Sequence, residues 1–356
     1  MSDNPIYNQI FNKVLSKTDP EKTHKLTLVA LKASHQVKMT SPYAYAMFSK
    51  PTSKLQTQAL GLTFDTPLGL AAGYDTNGSS IDALAALGYG AIEVGTVTGK
   101  PQTGNPKPRL FQLPKDKAIV NRIGYENVGA AKVQENLKQR LAQPHNKQVK
   151  VGVNIGKAKR ATLKDSAKDL MISTRLLAPY ADYLTLNLNT LVAENRAEGL
   201  KILQHLLRAI QVEAGTIANK AVPLCIKLVS DSSDDDIKRI ANLAAEIDIQ
   251  GIITVNTTLT RDNLKTPTQE ILACGTGELS GPVLAERAIE VIELLKHENG
   301  DTLDIISVGG IQTAEDIKYR LDAGAKLVQS YSAMVYEGPL WVKRTNATLG
   351  KLLTSS

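Results

Sequence analysis

Three asparagines and one lysine mark the ends of short apolar segments in this 356-residue chain. Asn154, Asn187 and Asn256 end or directly follow such segments, and Lys227 lies near the end of another. Burying an amide or an ammonium group is costly unless a polar partner satisfies it. Any one asparagine could simply cap a helix. Together, the four side chains favour a flat ligand that is rich in hydrogen-bonding groups and carries a counter-charge for the lysine.

Glycines and hydroxyl groups follow two apolar segments near the C-terminal end. Gly309 and Gly310 follow the first segment, and Tyr331 and Ser332 follow the second. Glycine lets the backbone approach a ligand closely, with N–H groups directed at an anion, so these turns predict a phosphate site. Gly281 precedes a proline at the start of a predicted helix, and a helix N-terminus attracts anions. Each glycine could instead serve only to end a strand or begin a helix.

The residues of hydrolytic and metal-dependent chemistry are not arranged in their usual patterns. The predicted strand ends carry no pair of carboxylates, and no serine, histidine and aspartate set suggests a catalytic triad. The two cysteines and five histidines show no spacing typical of a metal site, and the histidines fall outside the strand ends. We therefore expect no metal and favour redox chemistry on a bound cofactor.

Short apolar runs alternate with segments of helical periodicity, and this alternation predicts the elements that position the polar side chains. Eight strands, each followed by a helix, indicate a (β/α)8 TIM barrel. We predict strands at residues 68–72, 91–95, 150–155, 183–187, 223–228, 251–255, 304–308 and 326–329. We predict helices near residues 79–87, 127–141, 165–177, 198–213, 233–245, 283–297 and 313–321, and after residue 339. Barrel chemistry lies at the C-terminal ends of the strands, so the polar residues should meet at one mouth.

The N-terminal sixth of the chain differs from the rest in charge. We expect residues 1–58 to form a helical extension and linker, and residues 59–356 to form the barrel. The extension holds eight lysines against three acidic residues, which accounts for most of the net charge of +7. It lacks the arginines and interleaved aromatics of a nucleic-acid surface, so we expect no nucleic-acid partner. Two widely separated cysteines fit a reducing compartment, and no apolar run is long enough to span a bilayer.

Two short amphipathic helices are predicted in this extension. The first apolar face holds Ile6, Tyr7, Ile10, Phe11, Val14 and Leu15, and the second holds Leu26, Val29, Ala30, Ala33 and Val37. Lysines beside apolar helical faces suit an anionic membrane surface. A lid packed on the barrel, with a solvated basic face, would explain the same pattern.

Eight short motifs occur in order along nearly the whole chain, and together they resemble the dihydroorotate dehydrogenase family. They are LAAG at residues 70–73, EVGTVT at 93–98, PQTGNPKPR at 101–109, NRIGY at 121–125, NIGK at 154–157, NTT at 256–258, LSGP at 279–282 and VGGI at 308–311. The two N-terminal helices, with Asp19, Pro20, Glu21 and His24, resemble the quinone-dependent, membrane-associated class 2 branch.

The resemblance implies FMN at the barrel mouth, oxidation of (S)-dihydroorotate to orotate in pyrimidine biosynthesis, and a quinone as electron acceptor. It also implies a peripheral protein at the cytoplasmic side of the cell membrane. By position, the FMN residues are Ala72, Gly73, Thr96, Asn154, Asn187, Lys227, Gly281, Gly310, Tyr331 and Ser332. The substrate residues are Asn121, Arg122, Ile123, Gly124, Tyr125, Asn187, Asn256 and Thr257, and Thr190 holds the position of the catalytic base.

The sequence departs from the family pattern where the substrate would lie. Thr76 replaces a carboxylate-binding lysine, for which Arg122 is the candidate substitute. Thr190 replaces the serine base, Val192 replaces an asparagine beside it, and Gln112 stands where class 2 members usually have an arginine near the quinone. Three hypotheses follow: an active quinone-linked enzyme, a related flavoprotein with an altered substrate or lost catalysis, and a non-enzymatic barrel that binds a partner.

Overall fold

A closed eight-stranded parallel barrel forms the body of the protein. The computed structural model describes residues 5–37, 55–142, 149–159, 163–190 and 196–354. In chain order the strands are β1 (Thr57–Ala59), β2 (Leu62–Phe64), β3 (Leu68–Leu70), β4 (Ala91–Val97), β5 (Leu110–Leu113), β6 (Ala118–Asn121), β7 (Lys150–Ile155), β8 (Tyr183–Asn187), β9 (Leu224–Lys227), β10 (Gly251–Ile253), β11 (Glu278–Ser280), β12 (Asp304–Val308) and β13 (Leu327–Ser330). The barrel closes in the order β3, β4, β7, β8, β9, β10, β12, β13, so all eight predicted strands and the TIM-barrel fold are confirmed.

Helices surround the barrel and precede it. They are α1 (Pro5–Lys13), α2 (Pro20–Val37), α3 (Ile81–Ala85), α4 (Ala130–Leu141), α5 (Leu163–Leu177), α6 (Arg196–Ala218), α7 (Asp234–Glu246), α8 (Thr268–Ala273), α9 (Ala285–Asn299), α10 (Ala314–Asp322), α11 (Ser332–Glu337) and α12 (Leu340–Leu352). Ser332, predicted in a polar turn, begins α11 instead. Of the linker predicted at residues 39–58, residues 39–54 lie outside the described ranges, as does Val192. Strand β1 crosses the predicted domain boundary at residue 58.

The barrel strands are buried almost throughout because helices cover the outside and large side chains fill the inside. Tyr183 crosses the interior opposite Gly152, where an added Cβ would lie 2.2 Å from its ring. At the N-terminal end, the turn between β1 and β2 places Leu60 beneath the barrel. An added Cβ on Gly251 would lie 2.6 Å from the Leu60 side chain, so this hairpin closes that end.

A three-stranded antiparallel sheet, β5-β6-β11, lies outside the barrel and was not predicted. It joins strands of three or four residues, and β11 is distant in sequence from the other two. In its register, Asn121 lies opposite Glu278 on one side and Leu110 on the other. Strands this short cannot be told from loops in the sequence, because only their pairing with distant strands identifies them.

Each N-terminal helix packs on the barrel with only part of its apolar surface. Phe11 of α1 is buried against Tyr336, but Ile10 and Val14 are 47% and 53% exposed. In α2, Leu26 and Val29 are 68% and 63% exposed. Leu26 and Val29 of α2, and Val14 directly after α1, thus leave apolar surface exposed. Within the described ranges, no helix is long and apolar enough to cross a membrane.

Candidate active site

A cavity of about 380 Å³ opens at the C-terminal mouth of the barrel, a volume typical of small-molecule sites. It brings together nearly all the side chains that the sequence assigns to cofactor and substrate. From the cofactor set it is lined by Ala72, Gly73, Thr96, Asn187, Lys227, Gly281, Gly310, Tyr331 and Ser332. From the substrate set it is lined by Asn121, Arg122, Ile123, Gly124, Tyr125, Asn256 and Thr257, besides Asn187.

A row of polar side chains runs across the floor of this cavity. The Asn256 amide donates to Asn187 Oδ1 at 3.2 Å, and the Asn187 amide donates to Thr96 Oγ1 at 2.9 Å. The Thr96 hydroxyl in turn donates to Asn154 Oδ1 at 2.8 Å. Asn154 therefore lies beneath the lining and holds Thr96 in position. Such a connected network fixes the orientation of each amide before a ligand arrives.

The row ends at Glu93, a fully buried carboxylate whose role the sequence did not suggest. Asn154 Nδ2 donates to Glu93 Oε1 at 2.9 Å. Gln329 Nε2 donates to Glu93 Oε2 at 2.8 Å, and the Tyr183 hydroxyl donates to the same oxygen at 3.2 Å. A buried charge requires such partners. The carboxylate thus anchors amides and a hydroxyl from three further strands of the barrel.

Lys227 is the one cation on the barrel strands that lines this cavity, within the part of the chain that the structure describes. Its side chain is buried, and no described residue accepts a hydrogen bond from it. Burial lowers the pKa of the Lys227 ammonium group, whereas the charge on Glu93 acts in the opposite direction. A buried ammonium that points into a cavity requires an acceptor, which a bound ligand would supply.

Two glycines give the cavity a wall of bare backbone. Gly310 has φ of +76°, and an added Cβ would lie 2.7 Å from the Cβ of Ala285 at the start of α9. Gly281 has φ of +125°, and its added Cβ would lie 2.8 Å from the Cα of Ala118. Both positions therefore require glycine. They place backbone next to the N-terminus of a 15-residue helix, where partial positive charge favours an anion.

The roof of the cavity comes from β6 and β11. Arg122 lines the cavity, but its guanidinium donates to the carbonyl oxygens of Cys274, Thr276 and Pro108 and lies 4.6 Å from the Phe111 ring centroid. These contacts commit its charge to the roof. The positive charge of Arg122 nevertheless remains at the cavity, and its role as a substitute for the missing lysine stays a prediction.

The structure places Thr76, which replaces the family's lysine, but it does not place the side chain of the predicted base, Thr190. Thr76 lines the cavity. Leu188–Thr190 forms a 3-10 turn directly after β8, but the Thr190 side chain lies outside what the structure describes, and its role stays a prediction. Asn189, two residues beyond the strand-end Asn187, lines the cavity and was missed by the sequence reasoning.

A second cavity of about 330 Å³ lies between α1, α2 and the barrel. It is mostly apolar and includes Gln112. In its wall, His24 and the Tyr74 carbonyl oxygen are hydrogen-bonded at 2.8 Å, and burial lowers the pKa of His24. Leu110, Ile119 and Tyr331 line both this cavity and the mouth cavity, so a thin shared wall separates the two.

An ion-pair cluster attaches α2 to the mouth. Arg109, only 3% exposed, donates through Nε and Nη2 to the two carboxylate oxygens of Glu21 at 3.0 and 2.8 Å. Glu126 contacts the same guanidinium. The hydrogen bonds from Arg109, assisted by Lys107 and Lys25 and opposed by burial, lower the pKa of Glu21 to about 2. Arg109 therefore braces the extension against the barrel.

The fold and this site define a (β/α)8 barrel whose mouth suits a planar ligand with an anionic group. The family model for dihydroorotate dehydrogenase matches residues 54–353. The chain belongs to the dihydroorotate dehydrogenase family.

Individual relatives agree with this family across the whole chain. A dihydroorotate dehydrogenase (quinone) of Kineococcus radiotolerans is 43% identical over 355 residues, covering 98% of this chain and 95% of the relative. One of a Nocardioides species is 45% identical, covering 95% and 96%. The crystal structure of the Eimeria tenella dihydroorotate dehydrogenase with ferulenol superposes with a TM-score of 0.81 at 30% identity, covering 97% of this chain and 95% of that one. The relatives place the chain with the quinone-dependent branch.

Proposed function

We propose that the protein oxidises (S)-dihydroorotate to orotate, with FMN in the mouth cavity and a quinone as the final electron acceptor. The observation that carries this proposal is the convergence of the family's cofactor and substrate positions on one cavity of this chain. Family membership supplies the reaction, and the cavity supplies the residues.

The residues present fit FMN. The bare backbone at Gly281 and Gly310 beside α9 suits its phosphate, and the amide row suits its ring edge. Lys227 would lie at the anionic edge of the ring and stabilise negative charge there. Gln329 Oε1 is buried with no partner among the described residues, as expected of an atom that awaits a ligand. Bound FMN supplies a hydride acceptor that can later pass electrons to a quinone.

The asparagines and the roof would hold the substrate. Asn121 from β6 and Asn256 after β10 line the cavity from opposite elements, so a flat ring between them would be held at both edges. Thr190 is proposed to take the proton from the substrate carbon, as its place in the family loop implies. The roof would exclude water from the reacting atoms.

The second cavity is proposed as the quinone site. It is mostly apolar, and it shares the wall formed by Leu110, Ile119 and Tyr331 with the mouth cavity, so a quinone there would lie one layer of side chains from the flavin. The exposed apolar side chains of α1 and α2 flank it, and the extension is rich in lysine. These features support attachment of the two helices to an anionic membrane surface, from which a quinone would enter.

Anaerobic titration of the FMN-loaded protein with dihydroorotate tests this proposal. We expect the flavin absorption band to bleach, and bleaching to slow at least tenfold in Thr190→Ala. Reoxidation by a short-chain quinone should restore the band. A protein that binds no FMN would refute the site assignment. A protein that stays yellow with dihydroorotate and bleaches with dithionite would refute the substrate.

One observation favours a second candidate, a flavoprotein of this family with an altered substrate. Thr76 brings no charge to the cavity, and Arg122 is committed to backbone carbonyl groups. A carboxylate ligand would thus lack its usual cation in the roof. The same titration separates the two candidates.

A further inference from the structure

A buried arginine lies behind the glycine turn of the mouth cavity. Arg320 belongs to the last turn of α10 and is only 1% exposed. Its Nη1 donates to the Ser307 hydroxyl of β12 at 2.7 Å, and its Nη2 donates to the Gly309 carbonyl oxygen at 2.7 Å. Gly309 lines the cavity, whereas Arg320 does not. The guanidinium therefore contacts the turn from outside the cavity.

The charge of this guanidinium has no direct partner among the described residues. Its two hydrogen-bond acceptors are neutral, and its Nε is buried without an acceptor in the described ranges. Burial lowers the pKa of Arg320 to about 10, and the charge of Asp316 acts in the opposite direction, so the group stays protonated at pH 7. The Asp316 carboxylate itself accepts hydrogen bonds from the backbone N–H groups of Gln312 and Thr313. A buried cation of this kind is costly unless an anion lies nearby.

The hydrogen bond to Gly309 also orients the peptide unit that joins it to Gly310. This peptide is trans, so its C=O and N–H groups point in opposite directions. A carbonyl group held toward Arg320 therefore directs the Gly310 N–H away from the guanidinium. Gly310 lines the cavity, and no described residue accepts a hydrogen bond from its N–H group. An anion in the cavity would supply that acceptor.

We propose that Arg320 is a positioning residue for the phosphate of FMN: it orients the Gly309–Gly310 turn and places a positive charge behind it. The role of Arg320 rests on the proposed binding of FMN in the mouth cavity. The effect is specific to the phosphate, because the amide row that suits the flavin ring ends at Glu93 and makes no hydrogen bond with Arg320. Hydrogen bonds that involve a charged group are stronger than neutral ones, so the guanidinium holds the turn more firmly than a neutral donor would.

Riboflavin, which is FMN without its phosphate, provides the comparison for the test. Both flavins would be titrated into the full-length protein after removal of its own flavin, and the dissociation constants measured by fluorescence. We expect Arg320→Met to weaken FMN binding by about tenfold or more, as the loss of a charged hydrogen-bond donor predicts. Riboflavin affinity should change by less than about threefold, because the ring contacts remain. Arg320→Lys keeps the charge and should restore most of the affinity for FMN.

Further variants separate an effect on the phosphate from a general loss of structure. Arg320→Gln removes the charge and keeps a donor, and it takes the place of Arg320→Met if that variant does not fold. Arg140→Gln is the matched control, because Arg140 is a buried arginine that pairs with Asp82 and lines neither cavity. It should leave the ratio of FMN affinity to riboflavin affinity unchanged. Equal losses for both flavins in the variants without the charge, or no loss for either, would overturn the inference.

The outcomes also distinguish the role of Arg320 from the proposed function. Flavin bleaching by dihydroorotate, with an unchanged ratio of affinities in the Arg320 variants, would leave the function standing and refute the inference. A selective loss of FMN affinity in a protein that ignores dihydroorotate would do the reverse. A wild type that binds FMN no more tightly than riboflavin would overturn the phosphate site and the role of Arg320 together.

Discussion

Replacing Glu21 by glutamine should loosen the attachment of α2 to the barrel. Glu21 is the bidentate partner of the buried Arg109, and the replacement leaves the guanidinium with Glu126 and with the carbonyl oxygens of Thr103 and Asn105. Removing one partner of a buried pair typically costs several kcal/mol, because the other charge stays buried.

The pKa of Glu21 gives the magnitude. The hydrogen bonds from Arg109 are the largest cause of its fall from 4.5 to about 2. At about 1.4 kcal/mol per pH unit, the ionised form contributes roughly 3 kcal/mol to the folded state. Glutamine retains one acceptor, so we expect Glu21→Gln to lose about 2–3 kcal/mol of unfolding free energy at pH 7.

The sign of the pH dependence follows from the lowered pKa. Stability from Glu21 is fully present above its unfolded pKa of 4.5 and is lost as the pH falls through the folded value of about 2. The wild type should therefore lose more stability between pH 5 and pH 2 than Glu21→Gln does, and the two should converge at the acidic end.

Urea unfolding at several pH values measures both effects. Glu135→Gln is the matched control, because Glu135 pairs with Lys132 on an exposed surface where an ion pair contributes less than about 1 kcal/mol. If Glu21→Gln matches the wild type within about 0.5 kcal/mol at pH 7, or if both lose stability in parallel below pH 5, the reasoning about this cluster is wrong.

Two further predictions concern the cavities. Gly310→Ala should weaken FMN binding, with at least a tenfold rise in the dissociation constant measured by fluorescence. The added methyl group would collide with Ala285, and the backbone of residue 310 has the positive φ that favours glycine. Tight retention of FMN would contradict the proposed phosphate site. Ala30→Trp should narrow the second cavity and raise the KM for a quinone at least fivefold. The rate of flavin reduction by dihydroorotate should stay within about twofold of the wild-type rate. A change confined to flavin reduction would place the quinone elsewhere.

The sequence was most informative for the barrel, because the pattern of apolar residues locates its strands. Buried parallel strands are continuous apolar runs, so all eight were located and the side chains at their ends, such as Asn187 and Lys227, converged as expected. The β5-β6-β11 sheet could not be foreseen, because its strands pair across about 160 residues of sequence. Glu93 was missed for the same reason: it gains its role from partners that are distant in the chain.

The helical faces show a different limit. Periodicity located α1 and α2 but could not tell which apolar residues turn toward the barrel, since both sides of each helix carry them. Phe11 and Leu31 are buried, whereas Leu26 and Val29 are exposed. Arg122 shows a third limit, because the sequence does not reveal the carbonyl groups to which its guanidinium donates hydrogen bonds.

The wall between the two cavities has an evolutionary consequence. Most residues that line the mouth cavity do not line the second cavity. Substitutions at Thr76 or Glu278 can therefore change the ligand specificity of the mouth cavity without affecting that of the second cavity. Gln112 can likewise vary on its own side. The two cavities share the residues Leu110, Ile119 and Tyr331, so a mutation at any of these positions would affect the binding of both ligands. These three positions should therefore diverge most slowly, even while the specificities on either side drift apart.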